Sequence, residues 1–276
     1  MLTNPKTLKE KKKKISNDPQ VFWNQWLAGI LDGNGYFKIQ KNGVAVCEIT
    51  MHRNDEPLLA QIKQKLGGRL IARSGVRAVR YRLSHKKGMI ELITRVNGWI
   101  RNSIRAPQFQ KICSHFNISF LEAKALTKNN GYIAGFFDAQ GTISMVISKS
   151  TPEDSIKSGI HGKISRLSNS RGFHKLEISI SNKYKKNLIC FQEALGFGTI
   201  RSSGQKRSTT YVYYLKSSDI HEFVEYTKKF PLRSIKRKRI WALKQYFDLK
   251  SCKAHLANDC SIQKKAWENF CKKWYT

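Results

Sequence analysis

The chain repeats itself, and this limits its fold more than any other feature. The stretch Trp26-Leu27-Ala28-Gly29-Ile30-Leu31-Asp32-Gly33-Asn34-Gly35 returns in altered form as Tyr132-Ile133-Ala134-Gly135-Phe136-Phe137-Asp138-Ala139-Gln140-Gly141, an offset of 106 (Ala28 to Ala134). Three further landmarks follow in the same order. Glu48-Ile49-Thr50 matches Glu177-Ile178-Ser179, and Leu66-Gly67 matches Leu195-Gly196, both 129 apart. Ser103-Ile104-Arg105 matches Ser234-Ile235-Lys236 at 131. Ordered landmarks at nearly constant spacing mean one structural unit built twice. The jump from 106 to 129 puts 23 extra residues between Gly141 and Glu177. The Ser-, Lys- and Gly-rich run 149–173 is expected to hold them as a long loop or extended hairpin.

Each copy reads the same way. Apolar side chains recur at helical spacing over 19–33 and 127–139. Alternating residues predict strands at 36–40 and 45–52, and at 142–148 and 175–181. Helices are predicted at 57–66 and 185–195, each stopped by a glycine. Two more strands follow in each copy (69–73 and 79–83; 199–203 and 211–216), and helices close it near 88–99 and 106–116, and near 219–229 and 234–248. The predicted class is α+β: a tandem αββαββα repeat with pseudo-two-fold symmetry, its two antiparallel sheets forming a saddle. The expected layout is a basic tail (1–18), a first half (19–116), a linker (117–126), a second half (127–248) and an amphipathic C-terminal extension (249–276) carrying Trp267, Phe270 and Trp274.

Charge says what such a saddle would hold. Lys and Arg number 51 against 19 acids, a net charge of +32. That excess selects a polyanion, because cations that neutralise phosphates release condensed counterions. In Val79-Arg80-Tyr81-Arg82-Leu83 the apolar residues face one way and the arginines the other. One sheet face is then apolar and helix-covered, and the other is polar and basic. The residues assigned to nucleic-acid contact on that face are Lys38, Gln40, Arg73, Arg77, Arg80 and Arg82 in the first half. Those in the second are Ser144, Arg201, Ser203, Lys206, Arg207 and Tyr213. Such side chains read base edges in the major groove of duplex DNA.

Other chemistries are poorly supported. The six cysteines form no Cys-x-x-Cys pair, and the spacing of Cys252, His255, Cys260 and Cys271 fits no common zinc finger. Reduced thiols in a non-secretory compartment are expected. No apolar stretch reaches membrane-span length. The N-terminus has a lysine run, Lys11–Lys14, but no apolar signal core.

Leu27–Gly35 and Ile133–Gly141 resemble the two motifs of the LAGLIDADG homing endonucleases of the single-chain, two-motif type. The resemblance covers roughly residues 20–248. The residues account for part of the motif by themselves. Small side chains let two helices approach closely, and Gly35 and Gly141 are expected to let the chain turn out of each helix. Residues 34 and 140 then meet at the centre of the binding face.

The resemblance implies intron-encoded, site-specific cleavage of double-stranded DNA by a monomer on a long asymmetric target, with Mg²⁺ as cofactor. It places an acid at the eighth motif position, as a metal ligand beside the backbone of Gly33 and Ala139. Here that position is Asn34 and Gln140. Each amide keeps the shape of an acid and drops its charge, so metal affinity and cleavage are expected to be strongly impaired. The paired isosteric change reads as inactivation of a frame that still holds DNA. The resemblance also makes Lys236 the pocket lysine with Arg105 as its counterpart, and puts Glu48 and Glu177 near the metal pocket. Asp32 and Asp138 are expected to bond backbone at helix ends. The rival reading is an RNA-binding maturase that helps its host intron splice, which would make intron RNA a partner. Relatives of this kind imply an organelle, mitochondrion or chloroplast, as the location.

Overall fold

The computed structural model describes residues 18–204 and 209–276. The lysine run of the tail, Lys206 and Arg207 lie outside the described residues. The first half runs α1 (Pro19–Asn34), β1 (Gly35–Ile39), β2 (Ala45–His52), α2 (Glu56–Leu66), β3 (Arg69–Ala72), β4 (Ala78–Leu83), α3 (Lys86–Val96) and α4 (Arg105–His115). The second half repeats the plan with two added helices. It runs α5 (Tyr132–Gln140), β5 (Gly141–Ile147), α6 (Pro152–Ile156), α7 (Gly159–Ser168), β6 (His174–Asn182), α8 (Lys186–Leu195), β7 (Thr199–Ser203), β8 (Thr210–Leu215), α9 (Ile220–Lys229) and α10 (Lys236–Ser251). Helix α11 (Ile262–Tyr275) ends the chain. Two antiparallel sheets, ordered β1-β2-β4-β3 and β5-β6-β8-β7, carry the repeat into three dimensions.

Local signals explain most boundaries. Asp18 accepts from the Gln20 amide at the start of α1, and Pro19 occupies its first turn. Gly67 and Gly196, both at φ 77°, stop α2 and α8 in a conformation that costs other residues energy. Helix α5 starts at Tyr132, later than the spacing suggests. Asn130 instead makes a turn whose side chain accepts from Tyr132 N, and the Tyr226 hydroxyl donates to Asn130 O.

The seam between the halves is the α1–α5 pair. A β-carbon on Gly29 would overlap Tyr132 O and lie 2.5 Å from Phe136 N. One on Gly135 would overlap Trp26 O and lie 2.7 Å from Trp26 C. These glycines let backbone meet backbone. Gly35 and Gly141 act differently from the sequence-based expectation. Their φ values of −77° and −72° suit any residue, so no conformational freedom is used. A side chain is barred because it would strike Leu31 or the Phe137 ring.

The insertion is neither a plain loop nor a hairpin. It folds as α6 and α7, held by Asp154, whose carboxylate accepts from Ser165 Oγ, Asn169 Nδ2 and Lys157 Nζ. These donors hold the Asp154 carboxyl well below its ordinary range. Gly162, which reads as a loop residue in sequence, sits inside α7 because a side chain there would collide with Lys157 O. Helix α7 then docks on α11, where Trp267 Nε1 and Lys264 Nζ both donate to Ser168 O at 3.2 and 3.3 Å.

His174 lies buried in this junction, its ring against Trp267 and His255, with Nδ1 2.7 Å from Ser170 Oγ. Burial, with His255 and Lys250 nearby, lowers its pKa from 6.5 to about 4. A base depressed in the fold stabilises it above the ordinary pKa and loses that contribution as pH falls. Trp267 fluorescence should therefore report loosening of α11 between pH 6.5 and about 4. A His174→Phe variant should lack that transition.

Candidate nucleic-acid interface and central site

The strand registers define the open face of each sheet. In the first, Tyr36 pairs Glu48, Glu48 pairs Arg82, Thr50 pairs Arg80, and Arg69 and Ile71 pair Arg82 and Arg80. Directly paired residues share a face, so Lys38, Arg80 and Arg82 stand together there. Val79, Tyr81 and Leu83 are buried on the other side. Gln40 closes the β1–β2 turn, and Arg73 and Arg77 are exposed at the β3–β4 turn. Ile39, at the end of β1, is 41 % exposed.

In the second sheet Thr142 pairs Ser179, Ser144 pairs Glu177, Arg201 pairs Val212 and Ser203 pairs Thr210. Apart from the buried Val212, these residues form the equivalent polar face, with Arg201 and Ser203 exposed. Tyr213, expected at the nucleic-acid face, points the other way. Its ring is buried in the core and its hydroxyl donates to Phe197 O at 2.7 Å. Tyr214, paired with Ser179 and Thr199, is the tyrosine on the polar face. Four consecutive β-formers, Tyr211 to Tyr214, gave the sequence no alternation from which to choose.

Glu48 and Glu177 stand on the open faces of their sheets. Glu48 is held on the sheet by Arg80 and Arg82 at 3.3 and 3.2 Å. Glu177 faces Ser144 and pairs with Lys175 at 3.6 Å. Neither is among the residues lining the two central cavities, although Glu48 stands opposite Tyr36, two residues past Asn34.

Asn34 and Gln140 meet where α1 and α5 end. Gln140 Nε2 donates to Asn34 Oδ1 at 2.5 Å and to Gly33 O at 3.1 Å. Asn34 Nδ2 reaches Ala139 O at 3.4 Å. The backbone carbonyls expected beside a cation are thus occupied by amide N–H groups. Asp32 and Asp138 do not compensate. Asp138 accepts from Trp26 Nε1, Arg233 N, Ser234 N and Ser234 Oγ, and Asp32 from Arg101 N, Asn102 N and the Tyr132 hydroxyl. Trp26 and Tyr132 are equivalent repeat positions, so each half donates to the aspartate of the other. This donor set does not fit a divalent cation: it offers neutral amides, with both motif carboxylates engaged by backbone and side-chain donors.

Two cavities flank the amide pair. One, about 340 Å³, joins Asn34 to His52, Asp55, Lys236 and Arg239. The other, about 330 Å³, joins Gln140 to Arg105, Asn182, Lys183 and Asn187. Lys236 Nζ donates to Phe137 O and Asp138 O at 3.0 and 2.6 Å, a cation on the C-terminal carbonyls of α5. Burial lowers its pKa to about 8, against the pull of Asp138 and Asp55. Arg105 donates to Gln108 and makes no such carbonyl bond. Asp55, whose Oδ1 accepts from Ile235 N at 2.8 Å, is raised by burial. It lies far from the motifs in sequence, and no local signal marks it. Cys252, His255, Cys260 and Cys271 form no metal cluster among the described residues, whose six cysteines are all free thiols. No described helix is long and apolar enough to cross a membrane.

Comparison with known proteins places this architecture. The chain is 40 % identical over 261 residues to the intron-encoded RNA maturase bI4 of Saccharomyces cerevisiae, covering 94 % of this chain and 38 % of that protein. It is 38 % identical over 271 residues to a Debaryomyces hansenii protein named "Probable intron-encoded endonuclease aI2", covering 97 % and 39 %. The chain thus spans about two fifths of the length of these relatives. The structure of I-LtrWI, a LAGLIDADG homing endonuclease bound to target DNA, shares the fold with a TM-score of 0.60 at 16 % identity, over 91 % of this chain and 97 % of that one. The LAGLIDADG endonuclease model matches residues 27–117 and 133–247, once over each copy of the repeat. Two motif helices packed through glycine, each feeding a four-stranded sheet, are what that double match describes, and the chain belongs to the LAGLIDADG endonuclease family.

Proposed function

We propose that this protein binds a long, asymmetric duplex DNA site across its two sheets and does not cut it. The observation that carries the second clause is the Asn34–Gln140 pair, whose amides fill the Gly33 and Ala139 carbonyls. Family membership supports an endonuclease frame. The basic sheet faces and the +32 charge support the polyanion. The two faces carry different residues, so one chain reads two unlike half-sites as a monomer. Restored acids would hold Mg²⁺, a hard cation that takes oxygen ligands. Intron-encoded relatives support an organelle as the location.

The test is the double substitution Asn34→Asp with Gln140→Glu. The variant should nick or cut a bound target in Mg²⁺, while the parent chain binds it uncut. A variant that binds and stays inert, or a parent chain that cuts, overturns the reading. A second reading, assistance to intron splicing, is favoured by the 40 % identity to a protein named an RNA maturase. RNA binding makes no use of the missing acids.

A further inference from the structure

The two halves differ in how their outer helix pairs are covered. After α4 the chain turns at Asn117, at φ 55°, and residues 117–126 run back over α3 and α4. There the Asn97 side chain donates to Ser119 O and accepts from Leu121 N, at 2.8 and 2.9 Å. Lys124 N donates to Gly98 O, and the Phe120 ring packs 6.2 Å from Phe109. After α10 the chain leaves toward α11 instead. Among the described residues, the corresponding surface between α9 and α10 therefore stays open as a groove of about 220 Å³.

That groove has a definite chemistry. Leu232 and Ile240 form its apolar floor, and Trp241 stands at its edge, 67 % exposed. Arg237 stacks on the Trp241 ring at 4.9 Å, and Lys228 and Lys244 complete the lining cations. Lys228 is paired with Glu225 on the surface, an exposed bridge of little strength. Among the described residues no carboxylate lines the groove and no strand contributes to it, so it lies apart from the sheet faces proposed to read duplex DNA.

A ligand for this surface needs a flat aromatic face and negative charge together. Nucleotides supply both, and only an unpaired strand can present the face of a base. A duplex buries that face in its stack. We infer that the α9–α10 groove binds unpaired nucleotides of RNA, with a base against Trp241 and phosphates on Arg237 and Lys244. The inference rests on the splicing reading above and gives it a place on the molecule.

The full chain tests it with labelled single-stranded oligoadenylate and oligouridylate decamers of RNA. Fluorescence anisotropy should show Trp241→Ala weakening RNA binding by about 10-fold or more, the loss expected for one stacked base. Trp241→Phe should restore most of it. Duplex DNA affinity should not change in either variant, which also reports that the exposed substitution leaves the fold intact. RNA bound equally well by Trp241→Ala overturns the groove and leaves the splicing reading standing. Failure of the parent chain to bind RNA at all removes both. A polyglutamate decamer that displaces the RNA at equal concentration would show that charge alone is read, and would also overturn the inference.

Discussion

Gly135→Ala should destabilise the protein strongly. The new carbon would overlap the Trp26 carbonyl oxygen, with the carbonyl carbon 2.7 Å away. Both are backbone atoms, so no side chain can rotate aside. Helices α1 and α5 would have to separate, and both halves of the core are packed on them. Overpacking in a core that can adjust costs about 1–3 kcal/mol. Here the expected loss is about 3 kcal/mol or more, read from the midpoint of chemical denaturation. Gly29→Ala should behave alike, because it strikes Tyr132 O from the opposite helix. A loss under about 1 kcal/mol for either would mean that the seam is looser than its geometry. A variant that stays folded should still bind DNA poorly, since moving the helices shifts the two sheets relative to each other.

The second large effect separates two aspartates that look equivalent in sequence. Asp138 uses both oxygens: Oδ1 accepts from Ser234 N and Oγ, and Oδ2 from Trp26 Nε1 and Arg233 N. In Asp138→Asn one of those oxygens becomes an amide nitrogen that faces donors. The expected cost is about 3 kcal/mol, the scale of an uncompensated buried polar group of this kind. Asp32 accepts all three of its bonds on Oδ2, and its buried Oδ1 has no hydrogen-bond partner among the described residues. Asp32→Asn can place its nitrogen at that empty oxygen position and should cost within about 1 kcal/mol at neutral pH.

The pH dependence of the Asp32 carboxyl carries the opposite sign to a salt-bridged acid. Burial raises its pKa from 3.8 to about 6 in spite of its three donors. An acid raised in the fold adds stability below its unfolded pKa and loses that contribution as pH rises through the folded value. Asp32→Asn should therefore flatten the stability profile between about pH 4 and 6. An unchanged profile would show that Asp32 does not titrate in this range.

Much of this was legible in the chain. The repeat, the strand–helix order and the charge follow from periodicity and composition, because a half-buried strand must alternate and a buried helix must recur every three to four residues. The Val79–Leu83 strand shows this, and its arginines stand on the polar face. Legibility failed where the local pattern was silent. Tyr211 to Tyr214 do not alternate, so the pattern does not say that Tyr214 rather than Tyr213 faces outward. The 149–173 insertion looks polar and glycine-containing, yet it folds as helices, and α11 from the far end of the chain docks on the end of α7.

The sequence by itself determined that two like halves meet through glycine, that their open faces are cationic, and that the expected acids are amides. Only the tertiary structure decided what those amides do. They bond to each other and to Gly33 and Ala139, because packing α1 against α5 brings together side chains that lie 106 residues apart. It also decided that Asp32 and Asp138 hold the opposite half, that Asp55 enters the pocket of Lys236, and that the α9–α10 groove stays open. Each of these depends on contacts between distant segments, and hydrophobic periodicity records only which face of a segment is buried, never what it is buried against.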